Sequence, residues 1–565
     1  MVRVIGARLG VAGAGEGGLE AEEERVAAST PGLVVQDDLI DVTTRAALEE
    51  KAKLQKHFGR TDIFFFLICT LVGLDTIGAV AAEGAEGFTW LIFLGLAFFI
   101  PYALLTAELG SAFTEEGGSY IWTRLAFGRK VAAVNAVIYW ISNPIWVGGS
   151  LAILALTAFK TFFSNGEALP GPVIGVASLG DWLFLLGFIW FTVVAAILSF
   201  DVGKWIPTIG AFVRIFVLGL FTISVVLYGI QNGISGFGVG DFSPTYGAFV
   251  VLVPFLFFNY VGFELPSAAG EEMEDAKRDV PFGVVRAAIV SIIMYGGPIL
   301  AILLVLPKEQ ISGLGGFVDA IKTVFTVYGG SVAADGTATL EGLGAVLGGL
   351  AALSLIVALV TSGTTWVMGA DRAQAMAALD GAAPRILGTL SKRFGTPINV
   401  NLLSGFVSTT VLVLALTLTS GDAGKYFAAS LGLAISTTTI SYLAIFPALW
   451  KLRISHPHVP RPYKVPGGMP GVIFITILTF GWALFAAVGL LFPGFGTADP
   501  DASLPEGFTR IEYSLTQFIP LVLFILLGVV FYILGSRTRE DMVAIPFADE
   551  AAHDMSHVVE APPED

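Results

Sequence analysis

The sequence predicts an all-α polytopic membrane protein with twelve transmembrane helices, and three observations carry the prediction. Hydrophobic residues make up 55% of the 565-residue chain and charged residues only 14%, with a mean hydropathy of +0.78. A soluble chain of this length could not bury that much apolar surface. Apolar runs of spanning length recur along the chain, and Lys and Arg gather in alternate loops between them.

The spans are expected near 63–86, 87–110, 131–160, 182–200, 205–229, 247–267, 284–306, 342–368, 399–419, 424–450, 472–493 and 515–535. The eighth and tenth exceed a 30 Å hydrocarbon core, which predicts tilt or extension beyond the membrane. Loops 2–3, 4–5, 6–7, 8–9 and 10–11 hold about fifteen Lys and Arg, among them Arg129, Lys130, Lys277, Arg278, Lys392, Arg393, Lys451 and Lys464. The opposite loops hold about five, chiefly Lys160, Lys308, Lys322, Lys425 and Arg510. The positive-inside rule then puts both termini in the cytoplasm of a multi-pass cell-membrane protein, and Lys51, Lys53, Lys56 and Arg60 agree.

The organisation expected is a largely disordered tail over 1–60, a helical domain over 61–536 and an acidic tail over 537–565. The first thirty residues lack a signal-peptide core, so the first span is expected to insert by itself. The formal charge of −15 sits largely in the tails and argues against nucleic acid as a partner. Cys69 is the single cysteine and reads as a small apolar helix residue; all five histidines lie outside the spans. No cofactor or metal is expected. Two loops are long enough to hold structure. The outer loop Pro307–Glu341 predicts a short surface helix over FVDAIKTVF and then a flexible glycine-rich stretch. The inner loop Asp371–Pro397 starts as an alanine-rich helix closed by Asp380-Gly381.

The first span, Phe64–Gly84, is interrupted by Gly73-Leu74-Asp75-Thr76-Ile77-Gly78. Two glycines loosen a helix, and a carboxylate at bilayer depth costs several kcal/mol unless it is compensated. The sixth span is interrupted as well, with Phe258, Asn259, Tyr260, Gly262, Glu264 and Pro266 close together. Broken spans five apart, in corresponding positions of two repeats, point to a transporter site at the midplane. A break frees N–H groups at the start of one half-helix and C=O groups at the end of the other, so two facing breaks can hold both charges of a zwitterion. Asp75 has three readings on this basis. It binds the cationic part of a substrate, pairs with Arg214 or caps a helix N-terminus, or carries a proton.

The chain is also similar to a known family in five ordered stretches. These are Pro101–Gly110 with Glu115–Trp122 and Phe127-Gly128, Gly262-Phe263-Glu264, Lys277–Pro281, Arg372 with Asp380-Gly381, and Arg461–Gly468. Together they resemble the amino acid–polyamine–organocation superfamily of secondary transporters, over about residues 60–535. The resemblance implies a five-plus-five inverted repeat, about 61–230 and 246–450, with two further helices at 472–535. It also implies alternating access and a site between spans one, three, six, eight and ten. Gly73, Leu74, Asp75, Thr76 and Ile77 would form the bend, Phe258 an aromatic gate, and Glu264 a gating or proton-coupling group. Gly73-Leu74-Asp75 stands where the family usually has Gly-Ser-Gly or Gly-Thr-Gly, and in this it resembles the glutamate–amine exchanger branch. Arg214 stands where proton-coupled members often carry a lysine. An arginine keeps its proton, so it is expected to act as a fixed cation that makes transport sodium-independent.

The function expected is secondary transport of an amino acid or related amine, as an exchanger or proton-linked symporter, with a polyamine or other cationic amine bound through Asp75 as the alternative. The partners implied are that small molecule, protons and the lipid bilayer. A channel would need a continuous polar face, and an enzyme a nucleophile or paired-carboxylate constellation; the spans show isolated polar breaks instead. A non-transporting sensor would share the motifs.

Overall fold

The computed structural model describes residues 40–546 and 559–560, apart from 53, 55, 57, 203–204, 235–238, 307–314, 334–335, 498–500, 502–503 and 506. Ten helices are long and apolar enough to cross a membrane. They are α4 (Ala85–Ala112), α6 (Arg129–Phe163), α7 (Leu179–Val202), α8 (Trp205–Asn232), α10 (Ala276–Val305), α12 (Gly342–Leu379), α13 (Ile398–Leu418), α14 (Ala423–Ser455), α15 (Gly468–Leu491) and α16 (Arg510–Leu534). The expected first and sixth spans are the two that are broken. One is α2 (Arg60–Leu71) followed by α3 (Ile77–Ala82); the other is α9 (Tyr246–Asn259) followed by a 3-10 helix at Leu265–Glu272. Short helices α1 (Arg45–Lys51), α5 (Ser119–Phe127) and α11 (Gly316–Val324) complete the set.

Local chemistry explains these boundaries. Gly59 opens α2 with its N–H on the Asp62 carboxylate, and the apolar run ends at Val72, before Gly73. At 38 and 33 residues, α12 and α14 outrun the bilayer, as the sequence predicts, and α6 does so as well at 35 residues. Asp380-Gly381 closes α12, with Gly381 at φ +77°, so the alanine-rich stretch continues the eighth span and is not a separate loop helix.

The outer loop departs from expectation in two ways. α11 forms, but Phe317, Val318, Ala320, Ile321 and Val324 are buried, because its apolar side packs on α3 and α8. The stretch expected to be flexible contains an antiparallel hairpin, β4 (Gly330–Val332) with β5 (Ala338–Leu340). A smaller hairpin joins β2 (Val173–Ile174) and β3 (Ala177–Ser178). Of the expected tails, 1–39, 547–558 and 561–565 lie outside the described residues. Inside them β1 (Ile40–Thr44) pairs antiparallel with β6 (Met542–Pro546), which in turn pairs with β7 (Val559–Glu560). The two terminal segments therefore meet at one end of the bundle.

The core lies between the broken elements and their neighbours. α10 packs along α2 and α4, α8 against α2 and α12, and α6 against α12, α14 and α16. The two breaks face each other. A Cβ at Gly262 (φ +124°) would sit 2.6 Å from Thr70 Cγ2 and 2.9 Å from Trp366 Cζ2, so no larger residue fits between them.

Candidate substrate site

A break in a helix leaves carbonyls without partners, and at this depth each must find a donor. At the end of α2 three side chains supply them. Trp366 Nε1 on α12 donates to Thr70 O (3.1 Å), the Tyr295 hydroxyl on α10 to Leu71 O (2.8 Å), and Arg214 Nε on α8 to Val72 O (2.8 Å). The Tyr295 hydroxyl also accepts from Gly73 N (2.8 Å). The carbonyls expected to attract a substrate ammonium are thus already occupied by indole, phenol and guanidinium donors.

Asp75 lies in the same break, 3% exposed. Its Oδ2 accepts from Trp146 Nε1 of α6 at 2.8 Å. Its Oδ1 lies toward Gly73, where a Cβ would approach within 2.9 Å. No Lys or Arg among the described residues pairs with it. Arg214, the partner considered from the sequence, is directed elsewhere. Besides Val72 O it donates to Gly210 O (2.7 Å), Ala358 O (2.8 Å), Thr361 Oγ1 (3.1 Å) and Ser362 Oγ, and its Nη1 lies 3.4 Å from Cys69 Sγ. Cys69 is a buried residue of α2, as read from the sequence, with polar groups of α8 and α12 beside it.

The carboxylate opens onto a cavity of about 20 Å³, room for about one water molecule. Trp146, Trp366 and Phe258 form three of its walls, with ring centroids 5.7 Å (Trp146–Phe258) and 6.1 Å (Trp146–Trp366) apart and nearly perpendicular planes. Phe258 is half-buried. Asn259 completes the lining; neither atom of its buried side-chain amide has a hydrogen-bond partner. The cavity as it stands admits no molecule much larger than water.

Of the residues singled out from the sequence, Gly73, Asp75, Phe258 and Asn259 meet at this cavity. Leu74, Thr76, Ile77, Tyr260 and Gly262 are buried beside it but do not line it. Tyr260 turns away, stacking on Phe99 (4.5 Å) and donating to Leu91 O (2.9 Å). Trp146, Tyr295 and Trp366 were missed. Each is an aromatic residue inside an apolar run, a pattern that does not tell a cavity wall from a lipid-facing ring.

Glu264 stands apart from the cavity. It accepts from the hydroxyls of Tyr139 (2.7 Å), Tyr442 (2.5 Å) and Tyr102, which come from α6, α14 and α4. Tyr102 in turn accepts from the N–H groups of Gly262 (3.2 Å) and Phe263 (3.1 Å). The carboxylate thus ties the second break to three helices through phenols, one of which, Tyr102, also takes the N–H groups of Gly262 and Phe263.

At the end of the bundle carrying the terminal segments, Arg372 Nη1 lies 3.0 Å from Glu116 Oε1 and 2.7 Å from Glu272 Oε1, all buried. Lys51 pairs with Glu271 beside them (2.7 Å). Burial holds the Glu116 carboxyl well above the usual carboxylate range; Arg372 opposes the shift, while Glu272 and Glu271 add to it.

A family model described as amino acid permease matches residues 58–505. A probable agmatine/putrescine antiporter of Lactococcus lactis is 28% identical, over 75% of this chain and 88% of its own length. An uncharacterised transporter of Legionella pneumophila is 26% identical, over 77% and 89%. A glutamate/gamma-aminobutyrate antiporter of Lactococcus lactis is 23% identical, over 81% and 86%.

Proposed function

The chain belongs to the amino acid permease family, and we propose that it is a secondary transporter exchanging amine cations across the cell membrane by alternating access. The broken elements at 60–82 and 246–272 count as spans in this reading, so twelve helices cross. An even count agrees with the pairing of β1 and β6 at one end, and the basic loops put that end in the cytoplasm. Helices to α8 form one repeat and those from α9 to α14 its inverted copy.

One observation carries the choice of substrate. Asp75 is a buried carboxylate with one indole donor, no ion-paired cation among the described residues, and three aromatic rings around the space before it. An ammonium or guanidinium group supplies the missing positive charge and is attracted by the ring faces as well. The Asp75 carboxylate also occupies the break itself, where the carboxylate of a zwitterionic substrate would seek the freed N–H groups. The agmatine/putrescine antiporter among the relatives agrees with an amine substrate. Glu264 and its phenols serve as the coupling element between the second break and α4, α6 and α14.

The test is counterflow in proteoliposomes with labelled putrescine and agmatine, alongside glutamate and gamma-aminobutyrate. Asp75→Asn is expected to raise KM for the amines by about 30-fold or more, since removing one partner of a buried charge pair costs about 2–5 kcal/mol. Equal loss for amines and glutamate, or no loss, would sink the assignment. A second reading, a zwitterionic substrate, draws on the unpaired amide of Asn259, which could meet a carboxylate. Retained glutamate exchange that is lost in Asn259→Ala would favour it.

A further inference from the structure

We propose that the basic end of α2 and α10 carries a binding site for the headgroup of an anionic phospholipid, built on Arg286, Phe282 and Arg60. The Arg286 guanidinium carbon lies 3.6 Å from the centroid of the Phe282 ring, and that of Arg60 4.7 Å from the same centroid. Two cations share one ring, but their charges are answered differently. Arg60 pairs with Asp279 through a 2.7 Å contact. Arg286 makes only a long hydrogen bond to Phe282 O (3.4 Å) and no ion pair with any carboxylate among the described residues. Arg278, nearby on α10, sits 3.7 Å from Asp275. Arg286 thus keeps a full, exposed and preoriented positive charge.

Its depth and neighbours identify the partner as lipid. Nineteen residues separate Arg286 from Val305 at the far end of α10, about 28 Å at the helical rise and close to the thickness of a hydrocarbon core. On the positive-inside reading, Arg286 therefore stands at headgroup level of the inner leaflet. Along its own face Val285, Ile289 and Ile293 are 37%, 59% and 67% exposed, spaced four residues apart, and offer a track for an acyl chain. A guanidinium held over a ring, with one long hydrogen bond and no ion pair among the described residues, matches phosphate oxygens, and the inner leaflet supplies them on lipids of net negative charge.

A headgroup bound here would also brace the start of α2 against α10, the helix whose Tyr295 holds the first break. Lipid occupancy thereby acts on the element that carries Asp75.

The test measures lipid retention on the purified full chain by native mass spectrometry, after exchange into detergent containing phosphatidylglycerol or phosphatidylcholine. Preferential retention of phosphatidylglycerol is expected, weakened about fivefold in Arg286→Ala and partly restored in Arg286→Lys. Soluble glycerol phosphate is expected not to compete, because it lacks the acyl chains. Equal retention of the two lipids, or unchanged retention in Arg286→Ala, would overturn the proposal, and full competition by glycerol phosphate would reassign the site to a soluble phosphate. Arg286 is exposed, so the variant folds; an unchanged melting temperature in phosphatidylcholine checks this independently of transport.

Discussion

Asp75 and Trp146 show how a single pair of side chains sets the character of the site. A buried carboxylate is tolerable only with donors around it, and Trp146 supplies the one side-chain hydrogen bond it receives among the described residues. Trp146→Phe keeps a ring but removes that donor. The ligand-free protein is expected to lose about 1.5–3 kcal/mol, the worth of a hydrogen bond to a charged group. An amine that restores charge to the carboxylate should then stabilise the variant more than the wild type. Thermal unfolding with and without putrescine measures both effects. If the amine shift is unchanged, Trp146 is only a wall. Asp75 was legible in the sequence because an acidic residue inside an apolar run stands out on chemistry alone. Trp146 was not, because an indole in a membrane helix suits lipid, core or cavity equally.

At the scale of elements, the two breaks are held open by side chains from other helices. Thr70, Leu71 and Val72 carbonyls are served by α12, α10 and α8, and the second break hangs on Glu264 through three tyrosines. These ties replace the helical hydrogen bonds that the glycines forgo. The neighbouring cluster of Arg372, Glu116 and Glu272 closes the basic end between α12, the loop after α4 and the 3-10 helix. Its two halves should respond unequally to mutation. Arg372→Gln strands buried carboxylates and is expected to cost about 3–5 kcal/mol. Glu116→Gln imitates the protonated acid that burial already favours and should cost much less. The sign with pH follows. The raised Glu116 value means that protonation stabilises the folded state, fully below the ordinary glutamate range and progressively less as pH rises through the raised value. Melting temperatures of the two variants across pH check both statements; equal losses would contradict them.

Across the whole molecule, the ordered motifs turn out to be one another's partners. Glu108 in the second span meets Arg453, Arg461 and the N–H of Val465, so the Pro101–Gly110 stretch of α4 and the Arg461–Gly468 stretch meet at one carboxylate. Asp380 receives Arg129 Nε at 2.9 Å and the Tyr120 hydroxyl at 2.6 Å. Arg214 likewise joins α2, α8 and α12, donating to Val72 O, Gly210 O and Ala358 O, and we propose that it serves as the fixed cation of sodium-independent transport. Uptake of labelled amine into proteoliposomes is therefore expected to be the same with potassium or sodium outside. A requirement for a sodium gradient would refute this role for Arg214.

The sequence by itself determined the membrane class, the position of nearly every span to within a few residues, and the two interrupted elements, because apolar length and helix-breaking glycine are local properties of the chain. It also named Gly73, Asp75, Phe258 and Asn259. Tertiary structure alone decided that Arg214 serves carbonyls and leaves Asp75 unpaired, that Tyr260 turns away from the cavity, and that α11 is buried. Each of these depends on which side chain from a distant helix arrives first at a given donor or acceptor, and that is set by packing between helices hundreds of residues apart.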